Sequence, residues 1–333
     1  MKGFQNILVP LDGSEYAEQA VAVAGAIARR SGGTLRLVSV EEPLPALVLA
    51  SGSPEVAREV ELEECDQLTH YLDSIADAVR DVQGGTVGTA VLHGPAATAL
   101  SEYAHTNAVD LVVMTTRGRR GLSRWLIGSV ADQLLRCIHV PVLLLHPREL
   151  PQPTEFPRIL IALDGELEES ILNSAIALGA LYPGTRFTLT RVVEPTVAIV
   201  TPLAPYPTPL EPERIARLEV EARNYLERIR GQLQALGLEA TYQVLVGWGI
   251  ATQVLQLAEA LGADCIVVGT HSRRGMERLV LGSEADRIVR RATVPVLIAA
   301  NADAGRRPLS ESGDPSRATR TPPKSTEADG EAP

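Results

Sequence analysis

A chain of 333 residues that is 45% hydrophobic can fill the cores of two ordinary domains, and with only 4% aromatics those cores must be aliphatic. Its net charge of −10, from 31 Lys and Arg against 41 Asp and Glu, argues against a general nucleic-acid binder, which would carry a basic face. A small anion held by local backbone groups is still compatible with that charge.

The chain opens with "MKGFQNILVPLDGSE", a strand-like run followed at once by a turn. No basic segment precedes a long apolar one, so no signal peptide is expected. The apolar runs fall short of the roughly 18 residues a membrane helix needs. Cys65, Cys137 and Cys265 sit alone in different segments. That usage suits a reducing cytoplasm and shows no CxxC, zinc or disulfide pattern, so no metal ligands are assigned.

Strands are predicted at Ile7–Leu11, Leu35–Val40, Gly88–Leu92, Asp110–Thr115 and Pro141–Leu145, all continuous apolar runs of the kind covered on both faces. Amphipathic helices fall between them. "EYAEQAVAVAGAIARRSGG" ends in arginines and then glycines, a helix stop, and "SPEVAREVELEECDQLTHYLDSIADAVR" is long and charged. Alternating strands and helices imply right-handed crossovers and a doubly wound α/β sheet. The connections 41–53 and 194–212 are long, and the second is too proline-rich for a regular helix. Flaps over the strand ends and plain surface loops are both compatible with them.

The pattern then repeats. "NILVPLDGSE" at Asn6 returns as "RILIALDGEL" at Arg158, and "TLRLVSVEEP" at Thr34 as "RFTLTRVVEP" at Arg186. "AVDLVVMTTRGRRGL" returns as "GADCIVVGTHSRRGM", and "HVPVLLL" at His139 as "TVPVLIA" at Thr293. The order is preserved at offsets of 152 to 154 residues, a period of duplicated domains rather than of a solenoid. The expected organisation is a first domain over 1–147, a proline- and charge-rich linker over 148–156, a second domain over 157–300, and a disordered polar tail over 301–333.

The stretch "TTRGRRGLSRWLIGS" at Thr115–Ser129, echoed by "GTHSRRGMERLVLGS" at Gly269–Ser283, carries the chemistry. In an open parallel sheet, ligands sit beyond the C-terminal strand ends where the winding reverses. A glycine such as Gly118 lets backbone N–H groups approach an anion. Gly128-Ser129 opens the helix "SVADQLLRC", whose first amides are unpaired at the positive end of its dipole. Asp12, in "PLDGS", is an acceptor suited to ribose hydroxyls or a base edge. A second reading of the same residues needs no ligand: Ser129 with Asp132, and Ser283 with Asp286, fit a capping box.

These residues resemble the universal stress protein family in its tandem two-domain form, over nearly all of Phe4–Ala299. Nucleotide-binding members carry G-x2-G-x9-G-[S/T] after the fourth strand and an Asp after the first. The resemblance implies two Rossmann-like domains in strand order 3-2-1-4-5, with helices on both faces. It also implies final strands that pair domain to domain, and ATP, alone or with Mg2+, bound in some members. Carried over to the first half, the site comprises Pro10, Leu11, Asp12, Val40, Met114, Thr115, Arg117, Gly118, Gly128, Ser129 and Val130. In the second half it comprises Leu163, Asp164, Val193, Gly269, Thr270, His271, Gly282 and Ser283. Neither copy is complete: Thr115 replaces the first glycine of one, and Ser272 the second glycine of the other. Ser14 and Val130 beside the first site correspond to Glu166 and Glu284 beside the second, where carboxylates repel phosphate, so the first half is expected to bind more tightly.

No P-loop, GxSxG elbow or Ser/His/Asp set is present, and lone carboxylates at Asp12 and Asp164 do not make a hydrolase. The leading expectation is a cytoplasmic stress-response protein that binds adenine nucleotide as a regulatory module, without nucleic-acid or membrane partners. A slow ATPase or nucleotide-transfer enzyme is one alternative, and a nucleotide-free scaffold another. The apolar final strands should pair the two halves about a pseudo-twofold axis, while homodimerisation of the whole chain is left open.

Overall fold

The computed structural model describes residues 3–42, 54–83, 85–116, 127–149, 151–165, 168–200, 205–209, 211–269 and 282–299. The tail expected over 301–333, and most of the first long connection, lie outside them. The first half runs β1 (Asn6–Pro10), α1 (Glu15–Ser31), β2 (Thr34–Glu41), α2 (Pro54–Gln83), β3 (Thr86–His93), α3 (Ala96–Thr106), β4 (Leu111–Thr115), α4 (Ser129–Cys137) and β5 (Val142–Leu145). The second runs β6 (Arg158–Ala162), α5 (Glu168–Gly179), β7 (Arg186–Val193), β8 (Thr196–Val200), β9 (Pro205–Pro209), α6 (Pro212–Ala235), β10 (Glu239–Val246), α7 (Ile250–Leu261), β11 (Cys265–Gly269), α8 (Ser283–Arg291) and β12 (Val296–Ala299).

Local chemistry sets the boundaries. Ser14 caps α1 by accepting from the Ala17 amide at 3.2 Å, and Gly32, at φ 66°, closes the helix in the left-handed conformation that glycine adopts without strain. Asp110, expected as the first residue of the fourth strand, stands just before it. Its carboxylate accepts from the amides of Gln5 (2.7 Å) and Asn6 (3.1 Å), pinning the start of β1 to β4. Burial raises the Asp110 pKa above the usual carboxylate value, and those hydrogen bonds partly offset the rise. Asp264 repeats the arrangement in the second half, accepting from the Arg158 amide at 3.0 Å and from its guanidinium at 2.8 Å.

All strands except the β8–β9 hairpin form one ten-stranded sheet, in the order β10-β7-β6-β11-β12-β5-β4-β1-β2-β3. Read from each outer edge inward to the centre, each half has the order 3-2-1-4-5 implied by the family resemblance. Pairing is parallel throughout except at the central seam, where β12 meets β5 antiparallel. The seam register is symmetric: Leu297 faces Leu143, flanked by Val296 opposite Leu144 and Ile298 opposite Val142. On one face lies a core built from α1, α2, α5 and α6, on the other a core built from α3, α4, α7 and α8, and each core runs across both halves.

The proline-rich connection after β7 holds the antiparallel β8–β9 hairpin, which the sequence reading did not anticipate. Pro205, Pro207 and Pro209 alternate along β9, so all three share the side of the ladder that needs no donor, while Tyr206 and Thr208 are left to supply the N–H groups.

The linker is packed rather than free. Phe156 is fully buried and meets Tyr182 edge-to-face at 5.6 Å, and Arg30 lies 4.8 Å over the Tyr182 ring while pairing with Glu155 at 2.6 Å. Gln19 of α1 donates to the Arg148 carbonyl and accepts from the Arg148 amide and Gln152. On the opposite face, Asp132–Arg136 of α4 and Asp286–Arg290 of α8 form two ion pairs close enough to feel each other. Arg136 is raised above the usual arginine value by Asp132 and further by Asp286. Among the described residues no helix is long and apolar enough to cross a membrane.

Val142 and Val296 are buried at the seam. Replacing both with lysine places unpaired ammonium groups there, at a cost of several kcal/mol. The double variant should keep near-native helical circular dichroism but scatter as two loosely tethered bodies, above the roughly 20 Å radius of gyration expected of a compact chain this size. An unchanged compact envelope would show that the seam does not hold the halves together.

Candidate functional site

In each half the winding reverses between the first and fourth strands. β1 has β2 on one side and β4 on the other, and β6 likewise has β7 and β11. The connections beyond the C-terminal ends of each such pair therefore border a crevice, the position where open α/β sheets take ligands.

One wall of the first crevice is the loop after β1. Leu11 is buried, its amide donating to the Val38 carbonyl at 2.8 Å and its carbonyl accepting from the Ser39 hydroxyl at 2.9 Å. Asp12 follows, half-buried, and its Oδ1 accepts from both the amide (3.0 Å) and the hydroxyl (2.6 Å) of Ser14. Because Ser14 also caps α1, the helix start and the carboxylate orient each other. Gly13, at φ 76°, makes the turn between them possible.

The opposite wall is the end of β4 and the start of α4. Met114, Thr115 and Thr116 are buried. The Thr116 amide donates to the Leu145 carbonyl at 2.8 Å, and the Gly128 amide donates to the Thr116 carbonyl at 2.7 Å. The two ends of the glycine- and arginine-rich stretch thus meet at one point. Arg117 and Gly118 lie outside the described residues.

The capping-box alternative does not describe this helix start. Gly128, not Ser129, is the N-cap of α4, and no side chain bonds to the cap. Asp132 reaches forward to Arg136 at 3.1 Å instead of back. In α8 the N-cap is Gly282, again without a side-chain cap, and Asp286 pairs with Arg290 at 2.8 Å. Serines at the first helical position leave the leading amides of both helices to other acceptors, at the positive end of each helix dipole.

The second crevice differs in detail. Leu163 is buried, its amide donating to the Thr190 carbonyl at 2.9 Å, and Asp164 is exposed, with Gly165 following at φ 107°. Gly269 ends β11, while Thr270, His271 and Glu166 lie outside the described residues. Val193 is misplaced in the set read from sequence. Pro10 faces Val38 and Ala162 faces Thr190, so Val192 is the counterpart of Val40. Both pack on the face shared with α3 and α7, whereas Val193, one residue on, points to the other face. The repeat itself carries the correct pairing, since aligning Thr34 with Arg186 sets Val40 against Val192 and Glu41 against Val193.

Glu284 also behaves otherwise than its position in sequence suggests. Its Oε2 accepts from the Ala251 amide at 2.9 Å and its Oε1 pairs with Arg287, so its charge is spent on the start of α7. Glu194 joins it there, accepting from the Gly249 amide at 3.1 Å. Where the first half has Ser39, the second has Arg191, whose guanidinium lies about 3.5 Å from the space a Cβ on Gly165 would take. The repulsion expected from Glu284 is therefore largely offset.

The Universal stress protein family model matches residues 3–146 and again 155–300. A universal stress protein of Mycolicibacterium smegmatis is 25% identical over 299 residues, covering 88% of this chain and 96% of its own length. One of Methanocaldococcus jannaschii is 32% identical over 141 residues, or 42% of this chain and 81% of that protein. The crystal structure of a universal stress protein from Archaeoglobus fulgidus superposes with a TM-score of 0.66 at 18% identity, over 91% of this chain and 99% of that one. With the family pattern matched twice in succession along one polypeptide, the chain belongs to the universal stress protein family, in its tandem two-domain form.

Proposed function

We propose that the chain binds an adenine nucleotide, ATP in the first instance, and acts as a nucleotide-dependent regulatory module rather than as a dedicated enzyme. The observation that carries this reading is the uncapped start of α4, presented where the winding reverses and facing the Asp12 loop. In this assignment Val40 flanks the adenine, Asp12 accepts from the nucleoside hydroxyls, and the amides of Ser129 and Val130 receive the phosphates. Arg117 and Gly118 take the phosphate-side roles that the family pattern gives them. Pro10, Leu11, Met114 and Thr115 form the floor between these walls. Bound ATP would bring the charge that the helix start lacks, and Mg2+ could accompany it as a counter-ion. No residue is assigned a catalytic role.

The first half is the favoured site. Its neighbours Ser14 and Val130 are neutral, and Ser14 holds the Asp12 carboxylate in place. In the second half Asp164, Val192, Gly269, Gly282 and Ser283 occupy the matching places, with Glu166 as the remaining unfavourable charge.

Gly128 has φ −61° and ψ 151°, values any residue adopts, so Gly128→Val adds bulk at the phosphate position without forcing the backbone. Calorimetric titration of the full chain with ATP should show at least a tenfold loss of affinity in this variant, as about one charge-assisted hydrogen bond or more is removed. An unchanged affinity in a folded Gly128→Val protein would remove the phosphate assignment.

The same titration separates the halves. Gly282→Val, at φ −58°, should leave the tighter phase of ATP binding intact and delete only the weaker one. Loss of the tighter phase in Gly282→Val would place the better site in the second half.

A further inference from the structure

The geometry points to a divalent-metal site of the zinc class, formed by Glu41, Cys65 and His93 and present only in the first half. The carboxylate, thiol and imidazole ligand atoms lie within 4.8 Å of one another. Each comes from a different element: Glu41 ends β2, His93 ends β3, and Cys65 is on α2. Glu41 and His93 are register partners on the last rung of the β2–β3 ladder, and His93 Nδ1 is 2.7 Å from Glu41 Oε2.

The position of Cys65 follows from how α2 lies on β3. Arg80 of α2 donates to the Val87 carbonyl at 2.8 Å, and Thr89 donates to Asp73 at 3.0 Å. Moving back along α2 from Arg80 through Asp73 to Cys65 therefore moves forward along β3 from Val87 through Thr89 to His93. The thiol is delivered to the strand ends by the antiparallel run of helix over strand.

The duplication supplies an internal control. The matching rung of the second half is Val193 beside Val246. Aligning Tyr71-Leu72 with Tyr225-Leu226, whose leucines are both fully buried, puts Glu219 in the place of Cys65. The fold thus accepts valine where the first half keeps a carboxylate that is only 6% exposed. Burying a carboxylate where an apolar side chain would pack is unfavourable without a dedicated partner. All three ligand-bearing positions change together between the halves.

The donor set selects the ion. A thiolate with an imidazole and one carboxylate suits Zn2+ and its borderline-soft relatives, and not Mg2+ or Ca2+, which take oxygen ligands. Three protein ligands with His93 at the surface leave a fourth position for water or another donor. Metal binding takes cysteine as thiolate and histidine as neutral imidazole, so filling such a site releases protons.

The test uses the full chain, stripped with a chelator and kept reduced by a non-thiol reductant, with Co2+ as probe and Zn2+ as competitor. One equivalent of Co2+ should produce a thiolate-to-metal charge-transfer band that Zn2+ removes. Cys137→Ser should retain the band and Cys65→Ser should lose it. Glu41→Val, which installs the residue the second half uses, should fold normally and weaken Zn2+ binding by at least roughly tenfold. Absence of the band in folded wild-type protein would overturn the site, as would a full band in Cys65→Ser. Because neither readout involves nucleotide, failure here leaves the proposed nucleotide crevice unaffected.

Discussion

The antiparallel meeting of β5 and β12 is the constraint on which the rest of the molecule depends. Each half alone would end its sheet in an apolar strand with unpaired backbone groups, Val142–Leu145 in one case and Val296–Ala299 in the other. Such an edge invites uncontrolled pairing. Joining the edges satisfies the backbone groups of both strands and merges two sheets into one, so the helical layers on either face become cores that span the halves. His146, just past β5, donates from Nε2 across this seam to the Val289 carbonyl at 2.6 Å, and the ion pairs of α4 and α8 lie alongside it.

The same pairing sets where the crevices lie. Strands within a half are parallel and the seam alone is antiparallel, so the C-terminal strand ends of the two halves point in opposite directions. The crevices therefore open at opposite edges of the ten-stranded sheet. Between them lie the seam and the packed linker.

Duplication has also let the two copies diverge where the scaffold is indifferent. The helix starts at Gly128 and Gly282 are nearly superimposable in backbone angles and equally uncapped. The surroundings are not: Ser39 gives way to Arg191, Val130 to Glu284, and the Glu41–His93 rung to Val193–Val246. Positions that pack the sheet keep their character, because a core tolerates little change in volume or polarity. Positions at the strand ends bear less of that constraint and carry the differences.

Most of the fold was legible in sequence because it rests on local pattern. Continuous apolar runs such as "LVVM" and "VLLL" can only be covered on both faces, and the Gly32 stop and the Ser14 cap are chemical signals readable residue by residue. The repeat offset likewise gave two copies of one architecture, and the paired glycine-serine dipeptides marked both candidate helix starts. What the sequence could not determine was whatever depends on convergence from distant segments. The orientation of Glu284 toward α7 and the capping of α4 by Gly128 needed the neighbouring helices in place. The grouping of Glu41, Cys65 and His93 has no motif at all, since three residues from three elements become neighbours only when a helix is laid antiparallel across a strand. Local propensity and hydrophobic period specify elements; tertiary packing alone decides which side chains those elements bring within reach of each other.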